Sequence, residues 1–186
     1  MTATQLQTIR VETATAETVA PFGQLLSVHD GATKLPITFY DGKVSVYAPV
    51  SFESDDDTQL TLARVDHRAM QVEWMERHFK HTQTFIPLGG SSFVVVVAPP
   101  TDGELPELNQ MRALLFDGST GFTMKVGTWH EFPFALTDRS DVVVILRRET
   151  TLNLRPDNVV AGEAQGPDLD KKNLVARTGI TIQAQL

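Results

Sequence analysis

The stretch from residue 76 to residue 98 constrains the fold of this chain more than any other. Glu76 and His78 stand two residues apart at the end of an alternating run, so both side chains leave one face of a predicted strand. His81 and Gln83 repeat that spacing after a short break. Closely spaced polar side chains on successive strands are typical of an antiparallel barrel that points them into its own interior.

Glycine turns and short strands continue on both sides of this stretch. The turn Pro87-Leu-Gly89-Gly90 leads into Phe93–Val97, whose length and β-branched content predict a buried strand. Asp41-Gly42 is a strong hairpin signal. A short helix is predicted at 15–21, with Thr13 or Thr15 as its cap. Further strands are predicted at 5–11, 25–28, 37–40, 60–65, 111–116, 122–125 and 141–146, the last being the final buried strand.

Alternation also predicts which side chains share a face. Residues 70–78 alternate so that one face holds Met70, Val72, Trp74, Glu76 and His78. An apolar face that ends in an acid and a histidine indicates a barrel interior that is dry at one end and polar at its mouth. In the strand 60–65, Leu60, Leu62 and Arg64 lie on one face.

The length of 186 residues, 41% of them hydrophobic, suits one compact barrel. We predict a barrel domain at 1–148, including the N-terminal strand and helix, and a polar extension at 149–186. Residues 169–175 and 180–182 are the apolar anchors of that extension. The sequence leaves open whether it packs on the barrel, crosses to a partner subunit or is loosely ordered.

Composition excludes several classes of protein. With no cysteine, the chain has no disulfide, thiolate nucleophile or cysteine-ligated zinc. A net charge of −7 and a pI near 5.1 argue against a nucleic-acid partner. The N-terminus lacks a signal-peptide pattern, and no apolar run approaches the ~20 residues of a membrane span. We therefore expect a cytoplasmic protein with no membrane partner.

Two blocks of the sequence resemble the motifs of the cupin superfamily. In the first, Glu76, His78, Gln83 and Gly89 stand at the positions of two histidines, a carboxylate and a glycine, and Gly127-Thr-Trp129-His130 matches the Gly-x-x-His of the second. More narrowly, both blocks resemble the ureidoglycolate lyase family, and the resemblance extends from about Pro21 to Arg147.

The resemblance implies a fold, an activity and an assembly. The implied fold is all-β, a cupin-like double-stranded β-helix, or jelly-roll barrel, with the short N-terminal helix. The implied enzyme is a carbon–nitrogen (amidine) lyase that splits ureidoglycolate, a small-molecule substrate, into glyoxylate and urea in allantoin and purine breakdown. Members of the family are homodimers, so the resemblance also implies a homodimer.

Candidate catalytic residues follow from the matched positions, and they are His78, His130, Glu76 and Gln83. Neutral imidazoles and a carboxylate suit a divalent metal such as nickel, zinc or manganese, so His78, His130 and Glu76 are also candidate ligands. Because glutamine is a weaker ligand than glutamate, we expect this metal to be weakly held or absent.

The substrate offers a carboxylate, a hydroxyl and a ureido nitrogen on one carbon, so the reaction is the collapse of a hemiaminal. A base removes the hydroxyl proton and an acid protonates the departing nitrogen. His130 or Glu76 is the candidate base, and His78 is either a second acid–base group or a metal ligand.

Candidate substrate-binding residues are less constrained by the pattern. Arg64 could bind the carboxylate through its planar guanidinium, or it could be an exposed strand arginine. Lys125 is a second candidate cation, with a surface lysine as the alternative. His81 is either an addition to the site or a surface histidine, and Glu131 completes the candidates.

Met124, Lys125 and Glu131 stand where family members generally have tyrosine, histidine and a second consecutive histidine. These departures leave two alternatives open: a cupin enzyme that acts on another small hydroxy or keto acid, and a non-catalytic cupin that binds a small molecule. An iron oxygenase fits less well, because a third imidazole is missing from the set formed by Glu76, His78 and His130.

Overall fold

Strands dominate the computed structural model, which describes residues 4–186. The strands are β1 (Gln5–Thr13), β2 (Gly23–Leu26), β3 (Thr33–Phe39), β4 (Val44–Ala48), β5 (Thr58–Asp66), β6 (Gln71–Val72), β7 (Trp74–Arg77), β8 (Gln83–Pro87), β9 (Phe93–Ala98), β10 (Arg112–Phe116), β11 (Gly121–Met124), β12 (Trp129–His130), β13 (Phe134–Ala135), β14 (Arg139–Arg147), β15 (Val159–Val160), β16 (Glu163–Gly166), β17 (Leu169–Asn173) and β18 (Ile180–Gln185). The α-helices are α1 (Ala16–Val19), α2 (Arg148–Asn153) and α3 (Leu174–Thr178), and 3-10 turns lie at Leu108–Gln110 and Pro156–Asn158.

The strands form two main sheets and a separate hairpin. The large sheet has 11 strands in the order β15-β16-β17-β7-β12-β9-β10-β1-β18-β6, with β13 also paired to β9. The small sheet has five strands in the order β2-β11-β8-β14-β5. The strands β3 and β4 pair with each other, and Tyr40, Asp41 and Gly42 make their turn with positive φ angles, as the Asp-Gly signal predicts.

The two sheets enclose the main hydrophobic core. Phe93, Val95 and Val97 of β9 face Phe85 of β8 and Val144 of β14 across the interior. The opposite face of β9 is buried as well, where Val94 and Val96 join a second core that includes Trp129 and Ile182. Because β9 is buried on both faces, its sequence is a continuous apolar run rather than an alternating one.

These sheets confirm the predicted fold, an all-β cupin-like jelly-roll barrel with a short N-terminal helix. The helix α1 is capped by Thr15, whose hydroxyl accepts a hydrogen bond from the Thr18 backbone N–H at 3.1 Å. In the described residues 4–186, no helix is long and apolar enough to cross a bilayer.

The alternation predicted for residues 70–78 is wrong at its first half. Glu73 interrupts the run between β6 and β7, and Val72 and Met75 pack in the same core although they are three residues apart. Trp74 and Glu76 line a cavity on the other face. The break at Glu73 shifts the phase of the pattern, which a count of alternating residues does not detect.

The prediction that Leu60, Leu62 and Arg64 share one face of β5 is correct, but that face points to solvent. Leu60 and Leu62 are 74% and 58% exposed, whereas Ala63 packs against the main core. Since β5 is the edge strand of the small sheet, its apolar alternation does not indicate which side faces the interior.

The segment after residue 148 packs on the barrel. The strand β17 pairs with β7, and β18 pairs with β1 and β6, so β14 is not the last strand of the structure. Leu169, Leu174 and Ile182 are fully buried. The predicted domain boundary at 148 stays a prediction, but the strand β17 lies directly beside the strand that contains Glu76.

Candidate active site

A row of directly paired residues crosses four strands of the large sheet. Lys171 of β17 pairs with Glu76 of β7, Glu76 pairs with His130 of β12, and His130 pairs with Val97 of β9. Directly paired residues send their side chains to the same face of a sheet. Val97 belongs to the main core, so this face is the inner one. The register therefore places Glu76 and His130, predicted from separate motifs, side by side inside the barrel.

Glu76, His78 and His130 form what we call the His–Glu cluster. One potential ligand atom from each of them lies within 4.8 Å of the other two. The Nε2 atoms of His130 and His78 are 3.4 and 3.9 Å from Glu76 Oε1, and the two imidazole rings are 5.2 Å apart. All three side chains are buried. The two predicted histidines thus meet at a shared carboxylate.

Backbone carbonyls fix the orientation of both imidazoles. His130 Nδ1 lies 3.0 Å from the carbonyl oxygen of Thr128, and His78 Nδ1 lies 3.3 Å from that of Asp168. A carbonyl oxygen only accepts, so each Nδ1 donates; the Nε2 of a neutral His78 is then a bare lone pair, and His130 Nε2 faces Glu76 Oε1 at 3.4 Å. Neither Nε2 atom has a hydrogen-bond partner within the described chain.

The protonation of the His–Glu cluster follows from its burial. Burial, together with the neighbouring His130, lowers the pKa of His78 from 6.5 to about 3, so this imidazole is neutral at pH 7. Burial acts to raise the pKa of Glu76, but the contact with His130 and the charges around it hold that pKa below its ordinary value. The cluster therefore presents one carboxylate and the Nε2 lone pair of His78 at neutral pH.

This donor set fits a divalent metal ion. Two neutral imidazole nitrogens and one carboxylate oxygen are a common ligand combination for zinc, nickel and related ions, and three protein ligands leave a position open. The hydrogen bonds from Nδ1 to backbone carbonyls are the usual support for histidine ligands. The unpaired Nε2 atoms are the observation that supports the fit.

A cavity of about 170 Å³ opens beside the His–Glu cluster. Its lining residues are Trp74, Met75, Glu76, His130, Glu131, Phe132, Leu154 and Lys171. Since a water occupies about 30 Å³ in the liquid, the cavity has room for a ligand of a few non-hydrogen atoms. Four larger surface grooves, of about 640, 600, 410 and 300 Å³, contain none of the clustered residues.

His81 is buried next to the His–Glu cluster rather than on the surface. Its ring is 4.6 Å from that of His78, and its Nδ1 lies 2.8 Å from Asp168 Oδ2. The other carboxylate oxygen of Asp168 accepts hydrogen bonds from the backbone N–H groups of Phe79 and Lys80 at 3.0 and 2.8 Å. Burial acts to raise the pKa of Asp168, but the bond from His81 and the neighbouring donors keep it below its ordinary value. Asp168 thus fixes the break between β7 and β8.

Gln83 and Glu131 lie near the His–Glu cluster with different contacts. Gln83 is buried two residues before Phe85, so it faces the interior, and its Oε1 has no partner in the described chain. Glu131 lines the cavity, but Arg68 at 3.3 Å and the Phe132 N–H at 2.9 Å bind its carboxylate. Burial raises the pKa of Glu131, and Arg68 opposes that shift.

Neither of the two cations predicted to bind substrate lies at this site. Arg64 is on the exposed face of β5, where its guanidinium pairs with Asp141 at 2.9 and 3.0 Å. Lys125 is exposed and lines a separate cavity with Thr82 and Gln24. The face of β5 that contains Arg64 points to solvent, and the exposed Lys125 follows the buried Met124 at the end of β11.

Lys171 lines the cavity and is not among the residues that the sequence argument considers. It lies in the polar segment 149–186, whose composition gives no strand signal that would place it beside Glu76. Its ammonium sits 4.7 Å from the centre of the Trp74 ring, and both residues line the cavity. A lysine three residues after Asp168 could have been found only by knowing that β17 pairs with β7.

The fold and the site define the chain as a cupin-type barrel with a buried histidine–carboxylate centre. Residues 6–171 match the ureidoglycolate lyase family. The chain is 31% identical over 148 residues to a ureidoglycolate lyase of Pseudomonas fluorescens (76% of this chain, 86% of the relative). It is 28% identical over 153 residues to a ureidoglycolate lyase of Azotobacter vinelandii (76% of this chain, 86% of the relative). The chain therefore belongs to the ureidoglycolate lyase family.

Among solved structures, RmlC of Streptococcus suis gives a TM-score of 0.38 at 10% identity, covering 62% of this chain and 69% of that one. A likeness this distant adds nothing to the assignment.

Proposed function

We propose that this protein is a ureidoglycolate lyase, which cleaves ureidoglycolate to glyoxylate and urea. The observation that supports this most is the convergence of Glu76, His78 and His130, the residues at the matched motif positions, within 4.8 Å in a chain of this family. As a carbon–nitrogen (amidine) lyase of allantoin breakdown, the enzyme needs no covalent nucleophile, in agreement with a chain that contains no cysteine.

The reaction requires one proton to move from oxygen to nitrogen. As the hydroxyl proton leaves, its oxygen forms a carbonyl with the central carbon, the bond from that carbon to the ureido nitrogen breaks, and the nitrogen takes up a proton. Atoms and electrons balance without another reactant. Glu76, ionised because its pKa is lowered, and His130 Nε2 are both placed to accept the hydroxyl proton.

His78 has a narrower role than an acid–base residue. A group with a pKa of about 3 has no proton to donate at pH 7, so His78 acts through its Nε2 lone pair, as a metal ligand or as an acceptor. Gln83 and His81 complete the polar wall of the interior as candidate catalytic and substrate-binding residues.

Glu76, His78 and His130 would hold a divalent ion such as nickel, zinc or manganese. When bound, such an ion would act as a Lewis acid toward the substrate oxygen. With two imidazoles and a single carboxylate, and glutamine rather than glutamate at position 83, we expect it to be held weakly.

We further propose that the protein works in the cytoplasm as a homodimer, without nucleic-acid or membrane partners. Large apolar side chains that are exposed in the single chain support self-association, among them Leu60 (74%), Leu62 (58%) and Phe39 (52%). Light scattering of the purified protein tests the dimer, and a monomer at micromolar concentration would contradict it.

The activity is tested by mixing the purified protein with ureidoglycolate and following glyoxylate and urea together, with and without a chelator. Equal amounts of both products are expected, with turnover reduced by the chelator. Related hydroxy and keto acids are assayed in parallel under the same conditions. The proposal would be rejected if the protein turned over only a non-ureido acid. It would also be rejected if the protein bound ureidoglycolate but formed no product with any added metal ion.

A further inference from the structure

Lys171 lies directly beside the His–Glu cluster, and the family resemblance gives it no role. We infer that the Lys171 ammonium binds the carboxylate of a small α-hydroxy acid in the cavity. This inference rests on the proposed function, because it names the group that recognises the acid end of that substrate.

The register of the sheet places Lys171 on the inner face. It pairs with Glu76, so the two side chains are neighbours on one face, with Cβ atoms about 5 Å apart. His130 is the next residue in the same row, on the far side of Glu76. Lys171, Glu76 and His130 therefore lie in sequence along one wall of the cavity.

Trp74 holds the ammonium at this wall. The Lys171 Nζ atom lies 4.7 Å from the centre of the Trp74 ring, within the range of a cation–π interaction. Behind the ring lies Gly162, where a Cβ atom would come within 2.3 Å of the indole and where φ is +83°. The turn between β15 and β16 thus needs a glycine for its own conformation and for the position of the tryptophan.

The ammonium has no ionic partner in the described part of the chain, since no carboxylate oxygen of residues 4–186 lies within 4.0 Å of it. The neighbouring Lys172 behaves differently: it points to the opposite face and binds Asp170 at 2.9 Å. The charge of Lys171 acts on Glu76 and helps to lower its pKa, but the ammonium forms no salt bridge of its own and can still donate hydrogen bonds to a ligand carboxylate.

The charges of the cavity favour a cation as the binding group for an anionic ligand. Its lining contains Glu76 and Glu131, and Arg68 reaches only the second of these carboxylates. Within the described residues, Lys171 is the sole lysine or arginine of the lining. An anionic ligand would otherwise meet the negative charge of Glu76 at short range, in a protein whose net charge is already −7.

The order of Lys171, Glu76 and His130 across the sheet also suits the reaction. An α-hydroxy acid bears its carboxylate and its hydroxyl on adjacent carbons. A carboxylate held at Lys171 therefore brings the hydroxyl-bearing carbon beside Glu76 and His130, the two groups placed to accept the proton. Lys171 is a binding residue in this arrangement, and it takes no part in proton transfer.

The test compares Lys171→Met and Lys171→Arg with Lys34→Met, which removes an exposed lysine from the β3–β4 hairpin. We expect Lys171→Met to raise KM for ureidoglycolate by about 30-fold or more, because the bound carboxylate would lose its partner in a charge pair. The kcat should change much less, because the interaction is made equally in ground and transition states. Lys171→Arg should retain most of the affinity, and Lys34→Met should match the wild type.

Calorimetric titration gives a readout that does not depend on turnover. Glyoxylate, which has the carboxylate, should bind Lys171→Met far more weakly than the wild type, whereas the neutral product urea should bind both alike. Lys171→Gln serves as a second neutral variant if the methionine variant fails to fold.

The outcomes separate the two proposals. Wild-type protein that does not turn over ureidoglycolate would reject the proposed function, and glyoxylate titration of the variants would still test Lys171. If the wild type is active but Lys171→Met has an unchanged KM and an unchanged affinity for glyoxylate, the inference about Lys171 is overturned and the proposed function stands. Equal losses of glyoxylate and urea binding would overturn it as well, because they indicate a damaged cavity.

Discussion

The two faces of the strands β7 and β17 contain two buried polar clusters with opposite contacts. On the inner face, the His–Glu cluster leaves two imidazole Nε2 atoms without partners in the described chain. On the other face, Arg77, Asp170 and Lys172 form what we call the ion-pair cluster, in which Asp170 lies 3.1 Å from the guanidinium and 2.9 Å from the ammonium. The strand pair thus holds a cluster whose charges are paired on one face and a cluster that borders a cavity on the other.

Neighbouring loop and core residues also bind the ion-pair cluster. Arg77 donates to the carbonyl oxygens of Thr101 and Gly103 at 2.6 and 2.8 Å and stacks over the Trp129 ring at 4.2 Å. These contacts join the loop after β9 to the sheet, which is a structural role.

The difference shows how a functional cluster can be told from a structural one. A buried polar atom without a partner costs about 1–3 kcal/mol, so such atoms are few in a folded chain and each needs a reason. Arg77 Nε and Asp170 Oδ1 also lack a hydrogen bond within the described chain, but the opposite charges of the ion-pair cluster face one another at 2.9–3.1 Å. In the His–Glu cluster, Glu76 and His130 instead line a cavity. The predictions below test this distinction.

The largest effect on stability is expected from Asp170→Asn. The change leaves Arg77 and Lys172 buried without their counter-charge, which costs about 3–5 kcal/mol for a pair of this kind. Urea unfolding measures the loss. The matched control is Asp141→Asn, which breaks the solvent-exposed pair with Arg64 and should cost far less stability than Asp170→Asn. Equal losses in the two variants would show that the ion-pair cluster is not structural.

A smaller effect is expected from Asp168→Asn, which keeps the size of the side chain. An amide cannot accept from both the backbone N–H groups and His81, so one set of hydrogen bonds is lost at a cost of about 1–3 kcal/mol. A double-mutant cycle with His81→Ala should give a coupling of similar size. Strictly additive losses would contradict a direct His81–Asp168 interaction.

The smallest effect is expected from Glu163→Gln at the exposed end of the same segment. The hydrogen bond from Arg177 lowers the pKa of Glu163 from 4.5 to about 2, so its contribution is present above pH 4.5 and is lost as pH falls through 2. The variant should be less stable than the wild type at pH 7 by about 1 kcal/mol or less. Urea midpoints at pH 7 and pH 2.5 measure the gap, which should shrink at the lower pH; a constant gap would contradict this assignment.

The sequence predicted the parts of the site that belong to short, regular patterns. The i, i+2 spacing of Glu76 and His78 and the Gly-x-x-His block placed the His–Glu cluster correctly, because strand periodicity fixes which side chains share a face. The roles of these residues in catalysis remain proposals.

What the sequence missed depends on strand order. Lys171 and Asp168 reach the site, and Asp170 reaches Arg77 on the other face, because β17 lies next to β7, about a hundred residues away in sequence. Polar residues hide that strand in the sequence. Arg64 was misplaced for a related reason: alternation in an edge strand separates two faces without saying which one is buried.

The most direct test of the account is the turnover of ureidoglycolate by His130→Gln, measured together with its free energy of unfolding. We expect turnover to fall by about 100-fold or more, the usual contribution of a positioned acid–base group, while stability falls far less than in Asp170→Asn. Unchanged turnover, or a stability loss as large as that of Asp170→Asn, would mean that the His–Glu cluster is structural and would contradict the account.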